Sequence, residues 1–174
     1  MQINFCTKQQ SIFNGLLYFV KPFLFFILIS SSYGVDINID KLLQTAKKQN
    51  KHIMFFHHIP ECPYCKAMLD ENFKDATILK EISKNFVYVN VYTTNKGTIK
   101  FRDFEGTYKE FSKHMGAVAF PATIFMNGDG KVVYRAIGYR NIDEHFSEIT
   151  YISTNSYKTI DLESYITKIE LEYF

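Results

Sequence analysis

The feature that most constrains this chain is a pair of cysteines two residues apart, in the segment Cys62-Pro63-Tyr64-Cys65. It follows an apolar run, Ile53-Met54-Phe55-Phe56, which predicts a buried strand, and it precedes Lys66-Ala67-Met68-Leu69, which predicts a helix. The first sulfur is therefore expected at a helix N-terminus, where unpaired N–H groups and the helix dipole favour a thiolate. Pro63 suits the first helical turn, because it gives up only an N–H that has no partner there. This placement predicts a redox-active dithiol.

A structural disulfide and a zinc site are the alternatives to redox chemistry at the cysteine pair, and both have less support. A purely structural disulfide would close a loop with only two intervening residues, which constrains the unfolded chain very little. A zinc site needs about four ligands. The nearby candidates are His57 and His58, but consecutive residues of a strand point to opposite faces, so we do not expect both to reach one metal ion. The pattern therefore favours redox chemistry and predicts no metal site.

Composition bounds the size and class of the protein. The chain has 174 residues, with 47% hydrophobic and 17% aromatic side chains, enough for one domain with a substantial core and an N-terminal extension. Of its 20 Lys and Arg residues only Lys8 and Lys21 precede residue 35, and the other 18 are balanced in charge by 18 Asp and Glu residues. A surface without excess positive charge does not suggest nucleic-acid binding. Cys6 lies in the extension. A shortened form would keep only Cys62 and Cys65, a catalytic pattern rather than a disulfide framework.

The N-terminal extension has the layout of a secretory signal. Lys8 and Lys21 come first, followed by the apolar run Phe23-Leu24-Phe25-Phe26-Ile27-Leu28-Ile29 and then by the small residues of Ser30-Ser31-Ser32-Tyr33-Gly34. Positive, apolar and small residues in that order predict export with a cut before Val35.

The sequence thus predicts two parts, a signal peptide or N-terminal membrane anchor in residues 1–34 and a folded domain in residues 35–174, with a C-terminal helical extension from about residue 151. We expect a periplasmic or otherwise exported protein. The alternative is a protein anchored to the inner membrane and facing outward, because residues 16–20 are also apolar. Seven uninterrupted apolar residues are far short of the roughly 20 that span a bilayer, which favours export.

Helical and strand-like patterns alternate along the rest of the chain in the order α-β-α-β-α-β-β-α-α. The polar segment 94–106 predicts a surface loop or a small hairpin. The predicted strands are residues 53–56, 86–92, 121–126 and 131–137. The predicted helices are residues 36–50 with Asp40 as N-cap, the segment after the cysteines, Asp75 to Asn85, and 107–115 before Gly116. Two more helices are predicted, one after Asn141 and an amphipathic one from about Thr159 to the end.

One helix carries a specific start signal. Asn141 with Glu144 three residues later is typical of a capping box. The helix that follows is predicted to place Ile142, Phe146 and Ile149 on one side.

The cysteine segment, the element order and Phe120-Pro121 before a hairpin together resemble the thioredoxin fold. The segment Gly116-Ala-Val-Ala-Phe-Pro121-Ala-Thr123 is similar to the glycine, spacer and proline pattern of that family. The resemblance covers nearly all of residues 36–150 and implies an α/β protein, with a central mixed β-sheet flanked by helices and an additional C-terminal helix. More narrowly, the export signal, the segment Cys62-Pro-Tyr-Cys-Lys-Ala-Met68 and Gly138-Tyr139 resemble the SoxW-like periplasmic thioredoxins.

The resemblance also implies roles for individual residues. Cys62 would attack a substrate disulfide as a thiolate, and Cys65 would then release the reduced substrate by attacking Cys62. The bond between Phe120 and Pro121 would be cis, with the Phe120 backbone pairing an extended substrate segment. The residues expected to bind and position substrate are Pro63, Tyr64, Phe120 and Pro121. No cofactor is expected besides the Cys62–Cys65 disulfide itself.

Three departures from the family pattern affect the expected chemistry. Glu61 stands where thioredoxins usually have Trp, and its carboxylate disfavours a neighbouring thiolate. Phe55-Phe56 stands where they bury an Asp, so proton transfer falls to His57, His58 or water, with His58 and Glu61 as the candidate side chains. The Pro-Tyr dipeptide is typical of glutaredoxins and suggests a potential near roughly −200 to −230 mV.

These features predict an exported thiol-disulfide oxidoreductase that reduces protein disulfides. Because an oxidising compartment lacks the cytosolic reducing supply, the resemblance points to a membrane thiol-disulfide transporter of the DsbD or CcdA type as electron donor. Its clients would be apocytochrome c, sulfur-oxidation proteins or misoxidised thiols. Two alternatives stay open, a Dsb-type disulfide oxidase or isomerase with the same site, and a binding module of thioredoxin fold with incidental cysteines.

Overall fold

The computed structural model describes residues 34–172. The predicted signal peptide or anchor lies almost entirely outside the described residues, as does Cys6. The strands are β1 Ile37–Asn38, β2 His52–His58, β3 Phe86–Tyr92, β4 Ile99–Phe101, β5 Phe104–Gly106, β6 Ala122–Met126 and β7 Val132–Ile137, and the helices are α1 Ile39–Lys48, α2 Pro63–Asp70, α3 Ala76–Asn85, α4 Tyr108–His114, α5 Ile142–Ser153 and α6 Leu162–Glu172, with short 3-10 turns at Asn72–Lys74 and Ser156–Lys158.

A four-stranded mixed sheet forms the centre of the domain, with strand order β3-β2-β6-β7. Strand β2 pairs in parallel with β3 and antiparallel with β6, and β6 pairs antiparallel with β7. All seven residues of β2 are buried, as a central strand covered on both faces requires. The predicted α/β architecture and central position of this strand are confirmed.

Helices cover both faces of this sheet and enclose two separate apolar cores. On one face, α1 and α4 pack against the side of β2 that carries Phe55, with Phe111 of α4 fully buried. On the other face, α3, α5 and α6 pack against the side that carries Met54. Successive side chains of a strand alternate between faces, so one buried strand serves both cores.

The segment predicted as a loop or hairpin is a hairpin, and it belongs to a second sheet of three strands, β1-β4-β5. Strand β1 was not predicted. It has only two residues, and it exists because Ile37 pairs in parallel with Ile99. The N-cap prediction for α1 was wrong by two residues, since the Asn38 side chain accepts from the N–H of Lys41, while the Asp40 carboxylate accepts from the N–H of Arg102 across the chain.

Two glycines let the first described residues cross the hairpin at close range. A Cβ on Gly34 would lie 2.3 Å from the Gly97 nitrogen, and a Cβ on Gly97 would lie 2.2 Å from the Val35 oxygen. Gly97 also has φ +114°, which side chains disfavour. The Val35 N–H donates to the Lys96 carbonyl oxygen at 3.0 Å just beyond the crossing. The start of the domain is therefore held by backbone contact, with no room for side chains at either position.

Helix α5 has the predicted capping box, and two of the three residues predicted on one side, Phe146 and Ile149, pack in the second core. Ile142 is 38% exposed, whereas His145 and Glu148 are buried together with Ile149. His145 bonds to Asn72 through Nδ1 at 3.0 Å, which gives its ring a polar partner in an apolar setting. The buried face of the helix is therefore wider than apolar periodicity alone predicts, because it also includes these two polar side chains.

Residue 151, near which the C-terminal helical extension is predicted to begin, lies in the last turn of α5, which ends at Ser153. Helix α6 packs Tyr165 into the second core, and the Tyr151 hydroxyl donates to the Ile160 carbonyl oxygen at 2.7 Å. Within residues 34–172, every helix is too short or too polar to cross a bilayer.

Candidate redox-active site

The two cysteines occupy the start of α2 and are joined as a disulfide. Cys62 is the N-cap residue, with an extended backbone, and its Sγ accepts a hydrogen bond from the Cys65 N–H at 3.1 Å. Pro63 is the first helical residue, as its missing N–H allows. A sulfur that accepts from a first-turn N–H is stabilised as an anion when the disulfide is reduced.

Exposure differs sharply between the two sulfurs. Cys62 is half-buried, whereas Cys65 is only 2% exposed. Tyr64, between them, is 66% exposed, with its ring 6.0 Å from that of Tyr139. The Tyr139 hydroxyl in turn donates to Glu71 at 2.8 Å, just after the end of α2. One sulfur is thus accessible to another molecule while the other is reached mainly through its partner.

An open cavity of about 520 Å³ lies beside the disulfide. Its lining is mostly apolar and includes both sulfur-bearing residues. The residues that matter for the chemistry are His58, Ile59, Glu61, Cys62, Cys65 and Tyr92. The cavity therefore brings the candidate proton-transfer residues His58 and Glu61 to the same space as the cysteines.

His58 is the buried base of this cavity. Its Nε2 lies 2.6 Å from Asn90 Oδ1, and its ring stacks on Tyr92 with centroids 4.6 Å apart. Burial lowers the pKa of His58, and the hydrogen bond to Asn90 acts in the opposite direction. A lowered pKa keeps the imidazole neutral near pH 7, the form that accepts a proton.

His57 points to the opposite face of β2, as expected for consecutive strand residues. Its Nδ1 lies 2.9 Å from Ser112 Oγ, in the core beneath α4. Burial lowers the pKa of His57 to about 3, so it stays neutral in ordinary buffers. His57 does not border the cavity at the disulfide, which leaves His58 as the histidine of the site.

Glu61 immediately precedes Cys62 in a tight turn. Its side chain is exposed, and its backbone has φ +54°, an uncommon left-handed conformation for a residue with a side chain. The turn carries the chain from the end of β2 to the start of α2. Glu61 is therefore a surface carboxylate at the mouth of the cavity.

The loop before β6 lies at the same end of the sheet as the cysteines. Ala122 pairs with His57, near the end of β2 from which the chain runs to Cys62. The peptide bond between Phe120 and Pro121 is cis, and the Pro121 carbonyl oxygen accepts from the Gly138 N–H at 2.8 Å. Pro121 is buried and Phe120 is half-buried.

A second cavity lies beside this loop. It has a volume of about 400 Å³ and is lined by Phe120 and by Ile59, the residue that also lines the cavity at the disulfide. Ile59 thus stands between the two cavities.

Within residues 34–172, no group of three or more His, Cys, Asp or Glu side chains is placed to hold a metal ion. Cys62 and Cys65 are bonded to each other, and His57 and His58 lie on opposite faces of β2. The cysteine pair with these histidines does not form a metal site in this state.

Several residues of the site were not identified from the sequence. Asn90 and Tyr92 lie on β3, where Phe56 pairs with Asn90 and His58 with Tyr92. Two signals were available in the sequence. The period of two along β3 puts Asn90 on one face with Tyr92, and Asn90 is a polar residue in an otherwise apolar run. Tyr139 and Ile59 carried no comparable signal, because their positions depend on how loops meet.

Comparison with protein families accounts for this architecture. The sequence model of the thioredoxin-like domain matches residues 39–153, which is more than half of the chain and includes both cysteines of the site and the cis-proline loop. The chain belongs to the thioredoxin-like domain family. The matched span of the thioredoxin-like domain starts with α1 and ends with α5, leaving α6 outside it.

Individual relatives are distant. Mouse anterior gradient protein 3 is 32% identical over 74 residues, which is 39% of this chain and 45% of that protein, so the match spans less than half of the relative. Among solved structures, the thioredoxin-like domain is similar to a thioredoxin-fold protein from Helicobacter pylori (14% identity, TM-score 0.58, 68% of this chain and 83% of that one). A thioredoxin from Thermus thermophilus (19%, 0.52, 67% and 85%) and a disulphide isomerase from Xylella fastidiosa Temecula1 (22%, 0.51, 66% and 88%) share the fold.

The thioredoxin-like domain therefore combines its fold with a Cys-x-x-Cys disulfide at the start of a helix. That combination supports thiol-disulfide oxidoreductase chemistry. At these identities the structural similarity establishes the fold, and the roles of single residues have to be argued from the site.

Proposed function

We propose that this protein is an exported thiol-disulfide oxidoreductase that reduces disulfides in other proteins, with Cys62 as nucleophile and Cys65 as resolving cysteine. The observation that carries the proposal is the difference between the two sulfurs, since Cys62 caps α2 and is half-exposed while Cys65 is 2% exposed. A thiolate at a helix start attacks a disulfide, and a protected second thiol completes the exchange.

The reaction balances with these two residues alone. In the reduced protein the Cys62 thiolate attacks one substrate sulfur, forming a mixed disulfide and expelling the other substrate sulfur as a thiolate, which takes up a proton. Cys65 then loses its proton and attacks Cys62, forming the Cys62–Cys65 disulfide and releasing the second substrate thiol. Two electrons pass from the protein to the substrate. Of the two protons that the substrate takes up, Cys65 supplies one and the solvent supplies the other, because Cys62 enters the reaction as a thiolate.

The remaining site residues bind substrate or move protons in this proposal. His58 accepts the proton of Cys65, because it is a buried, neutral base bordering the same cavity. Glu61, the second candidate for proton transfer, lies exposed at the mouth of the cavity. Phe120 and Pro121 align an extended substrate segment, and the exposed ring of Tyr64 with Pro63 forms the surface beside the reacting sulfur.

The location and the electron donor follow from the same proposal. Residues 1–34 act as a signal peptide or membrane anchor, so that the domain of residues 35–174 works in the periplasm or a similar exported location. A membrane thiol-disulfide transporter of the DsbD or CcdA type regenerates the dithiol, and the protein belongs with the SoxW-like thioredoxins. Support for this part comes from the order of positive, apolar and small residues at the N-terminus.

The test is a trapping experiment. Cys65→Ser should accumulate a mixed disulfide through Cys62 in the native compartment, since the second step is blocked, and mass spectrometry of the adducts identifies clients and donor together. Cys62→Ser is the control, and it should form no adducts and lose insulin-reducing activity. Insulin reduction that survives in Cys62→Ser at the wild-type rate would contradict the proposal and favour a binding module.

The direction of electron flow is measured separately. We expect the Cys62–Cys65 pair to be mostly reduced in cells, as trapping of free thiols before lysis would reveal. A pair found mostly oxidised would reverse the proposed direction and assign a Dsb-type disulfide oxidase with the same residues.

A further inference from the structure

The second cavity has a charge pattern that the proposed chemistry does not use. We define the lysine cleft as the cavity of about 400 Å³ lined by Ile59, Lys109, Lys113, Ala117, Val118 and Phe120. Thr93 also lines it, and the rest of the lining is apolar except at α4, where the two lysines stand four residues apart and therefore on one face of the helix. Val118, at its edge, is 85% exposed, an unusual position for a branched apolar side chain.

Both lysines of the cleft are available for a ligand. Neither forms an ion pair with another residue in the range 34–172. The carboxylate of Glu110, the residue after Lys109, accepts hydrogen bonds from the N–H and the hydroxyl of Thr107, both at 2.8 Å. The hydrogen bonds from Thr107 are the main cause of the lowered pKa of Glu110, and the charge of Lys113 contributes least.

Arg135 adds a third positive charge near the loop that leads to the cis-proline. The Arg135 Nε donates to the Met115 carbonyl oxygen at 2.8 Å, one residue before Gly116. The cavity at the disulfide differs, since it contains Glu61, and its Lys66 is paired with Asp70. Positive charge is thus concentrated on the cleft side of Ile59.

The cleft also offers backbone groups to an extended chain. Within residues 34–172 the N–H and carbonyl of Phe120 make no backbone hydrogen bond, although the next carbonyl, that of Pro121, is bonded to Gly138. An extended segment that paired with Phe120 would run between Cys62 and the cleft, because Ile59 borders both cavities.

We propose that the lysine cleft selects protein substrates in which the cysteine to be reduced is flanked by an apolar residue and an acidic residue. The apolar side chain enters the cleft against Ile59 and Phe120, and the carboxylate lies at Lys109 and Lys113. The charge complementarity of two unpaired ammonium groups over an apolar floor identifies this occupant. The inference rests on the proposed function, since it names the substrate class of the same site.

The test compares three synthetic peptide disulfides that differ in one residue beside the cysteine, in the series Leu-Ser-Asp-Cys, Leu-Ser-Asn-Cys and Leu-Ser-Lys-Cys, where the leucine and the varied residue lie on the same side of an extended chain. The full-length protein is reduced, freed of reductant and mixed with each peptide in a stopped-flow experiment. We expect the acidic peptide to react about three- to tenfold faster than the basic one at low salt, as two exposed charge pairs allow. The preference should shrink as ionic strength rises.

Two double variants separate the cleft from general charge. Lys109→Gln with Lys113→Gln should lose most of the preference for the acidic peptide. Lys80→Gln with Lys84→Gln removes the same charge at the same spacing from the exposed side of α3, which covers the other face of the sheet, and it should behave as wild type. Equal rates for acidic and basic peptides, or equal losses in both double variants, would overturn the cleft proposal.

A neutral small disulfide distinguishes this failure from failure of the proposed function. If the wild-type protein reduces hydroxyethyl disulfide but does not discriminate among the peptides, only the lysine cleft is refuted. If it reduces neither hydroxyethyl disulfide nor any peptide, the oxidoreductase proposal itself fails.

Discussion

His58 and Asn90 fix which ring nitrogen of the histidine can act as a base. An amide oxygen only accepts hydrogen bonds, so the 2.6 Å contact between His58 Nε2 and Asn90 Oδ1 keeps the proton on Nε2 and leaves Nδ1 free to accept one. In the proposed mechanism this pair takes the place of the buried carboxylic acid expected from the family pattern, where the chain has Phe55-Phe56 instead. Burial lowers the pKa of His58, so the imidazole is neutral in the resting protein and can accept a proton.

We predict that His58→Gln slows the release of substrate from the mixed disulfide by about a hundredfold at pH 7, the lower end of the usual contribution of a positioned base. The loss should diminish toward alkaline pH, where hydroxide competes with His58 for the Cys65 proton. Single-turnover reduction of a fluorescent peptide disulfide between pH 6 and 9 measures this. His114→Gln, an exposed histidine outside both cavities, is the control. A pH profile identical to that of the wild type would assign His58 a structural role only.

Single residues of the site were predictable where their signal is local. The spacing of Cys62 and Cys65, with Pro63 between an apolar run and a helix, fixes their placement within a few residues of chain. Asn90 was not predicted as a partner of His58, because their contact depends on the parallel register of β2 and β3. Register is a tertiary property that the pattern of one strand does not contain.

Helix α5 shows how a buried ion pair orients an element. Glu148 is 2% exposed and accepts from Arg140 Nε at 2.8 Å and from the Tyr134 hydroxyl at 3.1 Å. Burial raises the pKa of Glu148, and the charge and hydrogen bond of Arg140 oppose that rise. Losing either partner leaves a polar group inside the core, so the pair holds the helix against β7.

We predict that Glu148→Ala lowers the free energy of unfolding by about 2–4 kcal/mol, since it strands the partly buried guanidinium of Arg140. Glu148→Gln should cost less, because an amide oxygen still accepts from Arg140 and Tyr134. Urea unfolding at pH 7 gives both values. Glu170→Ala, an exposed position of α6, serves as the control and should leave the midpoint unchanged. A midpoint for Glu148→Ala equal to that of the control would show that the pair adds no stability.

Elements with their own start signals were predicted closely. Asp75 caps α3 by accepting from the N–H groups of Thr77 and Ile78, and Asn141 and Glu144 form the capping box of α5. Prediction failed where tertiary contacts override the local pattern. Strand β1 depends on β4, and the burial of His145 and Glu148 on α5 depends on partners in other elements.

The stability of the whole molecule is coupled to pH through two fully buried histidines. Burial lowers the pKa of His57 to about 3 and that of His145 to about 4, from an ordinary value of 6.5. Between the lowered and the ordinary pKa the unfolded chain binds a proton that the folded protein does not, so stability falls as the pH falls below about 6.5. Glu148 acts in the opposite sense, because its pKa is raised and its ionisation disfavours the folded state as the pH rises.

We predict that lowering the pH from 7.5 to 4.5 costs about 2–3 kcal/mol of folding stability for each buried histidine, since a pKa difference of one unit is worth 1.36 kcal/mol. His145→Gln should be less stable than wild type at pH 7.5 but lose about 2–3 kcal/mol less over this range. Urea unfolding of the oxidised proteins at several pH values tests this. Parallel pH dependence in the two proteins would show that His145 is not the group responsible.

If residues 1–34 are a cleaved leader, as proposed, the crossing of Gly34 over Gly97 links folding to the removal of that leader. A protease that cut between Gly34 and Val35 would need that peptide extended and accessible, yet in the finished domain it lies against the backbone of residues 96–97. Under the proposal of a cleaved leader, the cut must therefore come before β1 closes onto β4. Strand closure would then set a time limit on processing, and a chain that folded too early would keep its leader.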